Sequence, residues 1–491
     1  MATTLSGQSN VTLEPFRQLQ VNIPNNDLIS SIEGVILSSY PEINPHWATS
    51  IATSTLVFTL SKVRVITLKG SLKLNTDELA IGIPGIAKSA PLSFIMTPML
   101  NLAADVLNSA LYPGVTPPPM NDKGQITQCD LISFILPSRF SVEGMIKYLS
   151  LNPNARGGVI IEEFNRVCTK YGGYQADIPD FLTEVYDGYI QPRITIAHGM
   201  NIIKDLYISV ISCTTPNGLY NLPISFWTGG MGTRTLHTYI PVEGYVIQES
   251  DVGNYGLPKS SQLNDDINNF GTYLANNWLE IHRACKSLNR GYLEAIIIDK
   301  EGVELMENFR IVTEVIWKRE VMLNSKAHAD AWDIFYLKRL QANAYKLAAI
   351  YSISRNWSRL NIIITPDGTI PIWTVDVKRA ILRLMTHVDD FMAIANLKKS
   401  MVEKERPKDR MPLAMSILVT LEIAPNKMLN STQWFEAQTI TGRPSDFNEY
   451  KKMLFDHGLI KEVERSTITD PQEIVRLALD HGATKVYTPV H

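Results

Sequence analysis

A chain of 491 residues has room for about three domains, each with its own core. Hydrophobic residues make up 45% of it and charged residues 19%, which excludes a disordered or low-complexity chain. The formal net charge of −3 excludes a globally basic nucleic-acid binder, so any such contact must come from local patches.

The four cysteines, Cys129, Cys168, Cys213 and Cys285, lie far apart without a Cys-x-x-Cys pair. They read as reduced thiols of a cytoplasmic protein and not as a zinc site. Residues 1–8 lack the basic-then-apolar layout of a secretory leader. The apolar window Ile51–Leu68 carries Lys62 and Arg64, so it reads as core, and no membrane partner is expected.

Residues 1–75 read as mostly helical. Asn26-Asp27 supplies a cap ahead of Val35-Ile36-Leu37, Trp47 to Ser61 keeps helical spacing, and Val63 to Leu68 suits a strand. No chemistry is evident there. In the next stretch the apolar run Leu79–Ile81 ends in the turn Gly82, Ile83, Pro84, Gly85, Ile86, Ala87. Lys88, Ser89 and Ala90 follow, and then an apolar helix over Leu92–Leu107. Strand, tight loop, helix is the order a phosphate-binding loop needs. Backbone N–H groups converge on phosphate oxygens, and the helix N-terminus adds partial positive charge. Lys88 would reach the β- and γ-phosphates of ATP, and the Ser89 hydroxyl would ligate Mg²⁺. Ala87 stands where glycine is usual, which keeps small size without freedom for positive φ. The competing reading is a plain Gly-Pro turn before a helix.

The Pro/Gly-rich stretch Tyr112–Gln125 reads as a loop, and Leu131–Leu136 as a buried strand. Ser141 caps a helix over Val142–Leu149. In Gly157–Phe164, β-branched residues run into Glu162 and Glu163, so a buried strand delivers two acids at its C-terminal end. Ligands of open α/β sheets bind at that edge. Glu162 suits the metal role and Glu163 the base that polarises water, unless both are simply solvated. After a helix over Pro179–Tyr186, alternating segments around His198-Gly199 signal a hairpin whose cations are Arg193, His198 and Lys204. The run Tyr207–Ser212 ends in Cys213-Thr-Thr-Pro216, where Thr215, with Thr214 next, is placed to contact a γ-phosphate or the water. Gly229–Thr235 displays Arg234, either as a finger toward a neighbouring subunit's nucleotide or as a structural ion pair.

Glu249–Asp266 reads as a polar loop. Helices over Tyr273–Ser287, Leu305–Asn324, Leu337–Ile350 and Thr374–Met385 make residues 246–397 a helical lid, with Trp278, Trp317 and Trp332 as core. Lys398–Arg410 is a charge-dense linker. In residues 411–491, helices Pro412–Ile423, Thr432–Gln438 and Asp446–His457 precede strands Leu459–Val463 and Lys485–Val490. That pattern is a winged helix, with Arg443, Lys451 and Lys452 on or beside its recognition helix. Contact with DNA and contact with protein both stay open.

In this order the pieces resemble the AAA+ motor of the minichromosome maintenance (MCM) replicative helicases. Gly82-Ile-Pro-Gly-Ile-Ala-Lys-Ser89 looks like that family's Gly-x-Pro-Gly-x-Ala-Lys-Ser loop, Ala87 included. Ile161-Glu-Glu-Phe-Asn-Arg166 is similar to its Ile-Asp-Glu-Phe-Asp-Lys, departing at Glu162. Asp180–Tyr207 matches the place of a hairpin that grips single-stranded DNA, and Val210–Pro216 the sensor-1 strand, with Thr215 at the usual asparagine. Gly232-Thr-Arg234 falls at the arginine finger without the usual Leu-Ser-Arg-Phe-Asp. Arg339 has the spacing of the sensor-2 arginine, and Trp373–Ala380 is like the lid helix. The resemblance covers about residues 76–395, more weakly to 491, and finds no counterpart of the family's N-terminal zinc-bearing region. Helicase domains of plasmid and phage primase-helicases are a second resemblance.

The resemblance implies an α/β fold: an AAA+ P-loop core over 76–245, the helical lid, a helical N-terminal segment and the winged helix. It implies an ATP- and Mg²⁺-dependent DNA helicase or translocase of a small replicon. Such a motor forms a homo-oligomeric ring, a hexamer being the expected size, with single-stranded DNA in its channel. Arg234 and Arg339 would act from a neighbouring subunit. The rivals are an initiator or transcription regulator that uses ATP only to assemble, and a packaging protein with a degenerate loop.

Overall fold

Side chains start several of the helices. Asp27 Oδ2 accepts a hydrogen bond from Ser30 N at 2.9 Å and opens the helix Leu28–Ser39. Asn44 Oδ1 accepts from the amides of His46 and Trp47 and opens Pro45–Val57. Ser141 Oγ accepts from Gly144 N at 3.1 Å and opens Val142–Leu151. The computed structural model describes residues 11–490 apart from 24–26, 85–87, 116–130, 153, 165–177, 191–192, 196–198, 202, 204–205, 221, 223–225, 227–229, 242–260, 324–331, 405–409, 438–443 and 478–484. It divides the chain into two units, Met1–Ala395 and Asn396–His491, with the boundary inside the helix Thr374–Lys404.

The strands of the first unit, in chain order, are β1 (Val63–Thr67), β2 (Gly70–Lys73), β3 (Asp77–Gly82), β4 (Ser133–Leu136), β5 (Ala155–Ile161), β6 (Arg193–Thr195), β7 (Gly199–Asn201), β8 (Ile208–Thr214), β9 (Leu236–Ile240), β10 (Leu293–Ile297) and β11 (Thr369–Ile372). The main sheet has the order β4-β5-β8-β3-β9, with every pair parallel. Its central strands β3 and β8 are buried along their whole length, as parallel strands covered on both faces must be. The chain leaves β3 for the far edge, returns through β5 to β8, and then crosses to β9 on the other side of β3. Connections therefore diverge at β3 and β8, and the crevice of an open α/β sheet lies at such a point.

The N-terminal segment packs onto this sheet. Phe58 is buried, and a Cβ on Gly158 of β5 would lie 2.0 Å from its ring, so only glycine admits this approach. The helical-lid expectation for 246–397 needs correction. Strands β10 and β11 lie inside that span and join β1 and β2 in a second sheet of order β11-β10-β1-β2. The pairs β1–β10 and β10–β11 are parallel, while β1 and β2 form a hairpin turning at Leu68-Lys69. β11 contains Pro371, which an edge strand tolerates and which reads in sequence as a break.

Other boundaries shift. The helix Ser261–Lys286 begins within the expected polar loop, because Gln262, Asp265 and Asp266 can point outward while Ile267 and Leu274 are buried. The expected linker is helical up to Lys404. Trp278 is core, its Nε1 bonded to Ser61 Oγ at 3.2 Å. Trp317 instead lines a cleft, and the side chain of Trp332 lies outside the description. Among the described residues one helical stretch, Leu92–Leu111, is long and apolar enough to cross a membrane. Its residues Met99, Leu100, Ala103 and Leu107 are buried in the protein.

The second unit holds helices Arg410–Glu422, Ser431–Ala437 and Pro444–Asp456 and an antiparallel sheet. Its strands are β12 (Leu429–Asn430), β13 (Ile460–Val463) and β14 (Val486–Pro489), ordered β12-β14-β13. Trp434, Phe447, Leu454 and Ile460 are its core. Lys451 is engaged internally: its Nζ donates to Ser431 Oγ at 2.7 Å and sits over the Tyr487 ring. Lys452 is exposed, and Arg443 lies outside the described residues.

Candidate nucleotide site

The loop after β3 folds back around its own lysine. Lys88 Nζ donates to Gly82 O at 2.8 Å and to Ile83 O. Burial pulls its pKa down. Gly82, Pro84, Lys88, Ser89 and Ala90 are described, whereas Gly85, Ile86 and Ala87 lie outside the described residues. The Lys88 carbonyl accepts from Trp47 Nε1 at 2.9 Å and faces Cys213 Sγ at 3.7 Å. Trp47, fully buried on the helix capped by Asn44, thus ties the N-terminal segment to the loop. An indole N–H finding a loop carbonyl leaves no periodic mark in sequence.

Beyond Ser89 the helix opens through a wide π-turn, Leu92–Met96. Pro98 has no amide to give to the preceding turn, which favours such widening. Ser93 N bonds to Ser89 O at 3.1 Å, and Ser93 Oγ donates to Glu162 Oε1 at 2.5 Å. The loop's helix and the acidic tip of β5 therefore meet. Between their strands lies only β8, so β3 and β5 stand two strand spacings, about 10 Å, apart. Glu162 and Glu163 are both exposed and line a cleft of about 760 Å³ with Ser93, Thr97, Ser138 and Arg139. Arg139, three residues past β4, was not marked in sequence. Only the strand order carries it beside the acids.

At the tip of β8 the two threonines divide. Thr215 Oγ1 accepts from Gly218 N at 3.0 Å and caps the short helix Pro216–Tyr220. Thr214 Oγ1 is buried without a hydrogen-bond partner among the described residues, and Thr214 is in register with Ile81 of β3. The second choice in sequence is thus the hydroxyl left over at this edge. Burial pushes the neighbouring Cys213 thiol up to about 12, with Lys88 and Glu162 the charges nearest to it.

Arg234 and Arg339 lie elsewhere, sharing a cleft of about 730 Å³. Of the two roles open to Arg234, this geometry supplies the ion pair. Its Nη2 bonds Asp187 Oδ2 at 2.8 Å, its Nε reaches Asp187 Oδ1, and Nη1 donates to Gly230 O at 3.0 Å. A Cβ on Gly230, at φ +105°, would fall 2.3 Å from Arg234 Nη1, so the seat is built for this guanidinium. Arg339 is half-buried on the helix Trp332–Arg355 and has no hydrogen bond or ion pair among the described residues. For the expected DNA grip, β6 and β7 do pair, with Arg193 opposite Asn201, but His198 and Lys204 lie outside the described residues.

No family profile matches the chain, and no curated protein matches it.

Proposed function

We propose that the chain is an ATP-hydrolysing motor of the AAA+ type, similar to the MCM helicases, that moves DNA as a ring of identical subunits. The observation that carries the reading is the bond from Ser93, one turn beyond Ser89, to Glu162 at the tip of β5. The helix that follows Lys88 and Ser89 thereby meets the tip that bears the paired acids. The donor set fits MgATP: a lysine hydrogen-bonded to its own loop carbonyls, a serine, two exposed carboxylates and a threonine hydroxyl unpartnered among the described residues. Lys88 and the loop amides would hold the phosphates, Ser89 and Glu162 the metal, and Glu163 would take a proton from water. Magnesium, when bound, neutralises charge developing on the phosphate oxygens. The crevice's own arginine is Arg139, while Arg234 and Arg339 line the other cleft. That separation favours their acting on a nucleotide held by another copy. Arg234 would have to leave Asp187 to do so, whereas Arg339 has no hydrogen bond or ion pair to leave among the described residues.

Glu163→Gln tests the assignment. It should retain ATP binding while turnover falls on the order of 10²–10⁴-fold. Hydrolysis at the wild-type rate would remove Glu163 from the base role. Strand-displacement assays on forked DNA then separate a motor from a protein that only assembles with ATP.

A further inference from the structure

The helix after the loop at 82–89 does not begin as an ordinary helix, and the irregularity falls where Glu162 arrives. Over Leu92–Met96 the turn is wide: Thr97 N and Thr97 Oγ1 both bond Leu92 O, five residues back, the hydroxyl at 2.8 Å. One extra residue in a turn rotates what precedes it by about 100° against the helix that follows. Leu92, Ile95, Met96, Met99 and Leu100 are buried all the same, so the packed face is kept on both sides of the turn. The departure shows on the cleft side instead. Two hydroxyls of this helix, on Ser93 and Thr97, line the cleft that contains Glu162. That of Thr97 is committed to Leu92 O, and that of Ser93 donates to Glu162 Oε1 at 2.5 Å.

We infer that Ser93 is a positioning residue for the metal acid: the wide turn holds its hydroxyl where it fixes Glu162, leaving Oε2 for Mg²⁺ or for a water bound to it. The inference rests on the metal role proposed above for Glu162. Glutamate has one methylene and one torsion more than aspartate, and Glu162 is exposed, so packing does not choose among its rotamers. A carboxylate that must be ordered at each binding event holds its ion less tightly. A hydrogen bond from a side chain already set in a helix removes that freedom in advance. Partners of this kind behind a metal ligand are worth about 10–100-fold in metal affinity. Ser93 can act so because its own backbone is anchored. Its amide bonds Ser89 O at 3.1 Å, and Ser89 carries the hydroxyl proposed for the same ion. The two proposed ligands, Ser89 and Glu162, are thereby joined through one residue.

The test measures ATP binding by the full chain in a calorimeter, once with Mg²⁺ and once with EDTA. The ratio of the two affinities is the metal's share of binding. Ser93→Ala should lower that ratio about tenfold or more and leave the affinity in EDTA as it was, since Lys88 and the loop amides are untouched. Ser93→Thr, which keeps a hydroxyl, should restore most of the ratio. Glu162→Gln should lower it at least as far as Ser93→Ala does. In a Glu162→Asp background, where the acid is one methylene too short to reach Ser93, adding Ser93→Ala should change the ratio no further. A ratio lowered by Glu162→Gln but unmoved by Ser93→Ala overturns the inference and spares the metal role of Glu162. A ratio unmoved by Glu162→Gln takes Glu162 away from the metal, and this inference falls with it. Equal losses in Mg²⁺ and in EDTA with Ser93→Ala would make Ser93 a support of the loop alone, which also overturns the inference.

Discussion

The main sheet carries two pairs of adjacent acids, and they live opposite lives. Glu162 and Glu163 sit just past the C-terminal end of β5, exposed in a cleft. Asp77 and Glu78 open β3 at its other end, 2% and 1% exposed. Asp77 Oδ1 accepts from Val210 N at 3.0 Å, and its neighbour Lys346 is itself buried, donating to Asn75 O at 2.6 Å and lying over the Tyr186 ring. Glu78 Oε2 accepts from Ser50 Oγ at 3.0 Å, and Arg383 donates to the same hydroxyl. One pair keeps its solvent and can trade it for a metal or a proton. The other is a fixed part of the core, held by groups from distant elements, with Asp77 Oδ2 left without a hydrogen-bond partner among the described residues. Identical chemistry acquires a role from the end of the strand on which it falls.

The sharpest way to break this comparison is to remove charge from each pair. Glu163→Gln should abolish nearly all turnover, on the order of 10²-fold or more, and leave the melting temperature within a degree or two, because an exposed carboxylate supports little packing. Asp77→Ala should do the reverse. It removes the acceptor of the buried Val210 amide, and leaving that donor unsatisfied costs about 1–3 kcal/mol, read as a lower urea midpoint. If Asp77→Ala melted like wild type, the buried pair would carry no stability and the contrast would fail.

A smaller effect tests how the N-terminal segment bears on the exposed end. Trp47→Phe keeps an aromatic ring but deletes the N–H bonded to the Lys88 carbonyl, together with the packing of the indole's smaller ring. That bond is worth about 1 kcal/mol, so ATP should bind a few-fold more weakly as the loop loosens. Unchanged affinity, measured by calorimetry, would make Trp47 a packing residue alone.

The two ends of the sheet also differed in how legible they were. The loop at 82–89 and the tip at 162–163 were visible because each is a local pattern, a glycine-bearing turn or a β-branched run stopping at acids. So were the caps at Asp27 and Ser141, where one side chain reaches an amide three residues on. Asp77 and Glu78 carry no local pattern, since the cations facing them, Lys346 and Arg383, lie some 270 and 300 residues downstream. The second sheet was hidden for the same reason. β1 finds β10 across more than 200 residues, and β10 is five residues long with β11 shorter still. Arg234 was read as displayed on a glycine loop, and Gly230 does give it room, but toward Asp187 instead of outward. Patterns of a few residues survive in sequence, whereas pairings across hundreds do not.

The finest probe of the buried pair is pH. Burial pushes the Glu78 carboxyl up to about 8, opposed by Arg383 and by the Ser50 hydroxyl and reinforced by Asp77. His387 Nε2 lies 4.0 Å from it, but burial drives that imidazole well down, so it faces Glu78 uncharged, and the phenol of Tyr336 lies within its field. The folded chain thus holds a proton that the unfolded chain releases from about pH 4.5 upward. Its contribution to stability is complete at acid pH and drains away as pH rises through about 8, at about 1.4 kcal/mol per pH unit for one proton. Asp77, pushed by burial to about 7, declines in the same direction. Lys346, pulled by burial down to about 7, works oppositely and adds stability only above that pH. Asp390, pushed by burial to about 7, declines with them, while His387 and His237, whose imidazoles burial drives down, add stability as pH rises toward about 6.5, so these contributions oppose one another between pH 5 and 7. Glu78→Gln keeps the shape and an acceptor for Ser50 but removes one proton, so from about pH 5 to 8 its stability should rise relative to wild type by about 1.4 kcal/mol per pH unit, while ATP turnover at pH 7 stays unaltered. A slope as steep in Glu78→Gln as in wild type would mean that the carboxyl is ionised in the fold. Arg383 would then outweigh burial, and the inner pair would differ from the outer one only in its access to water.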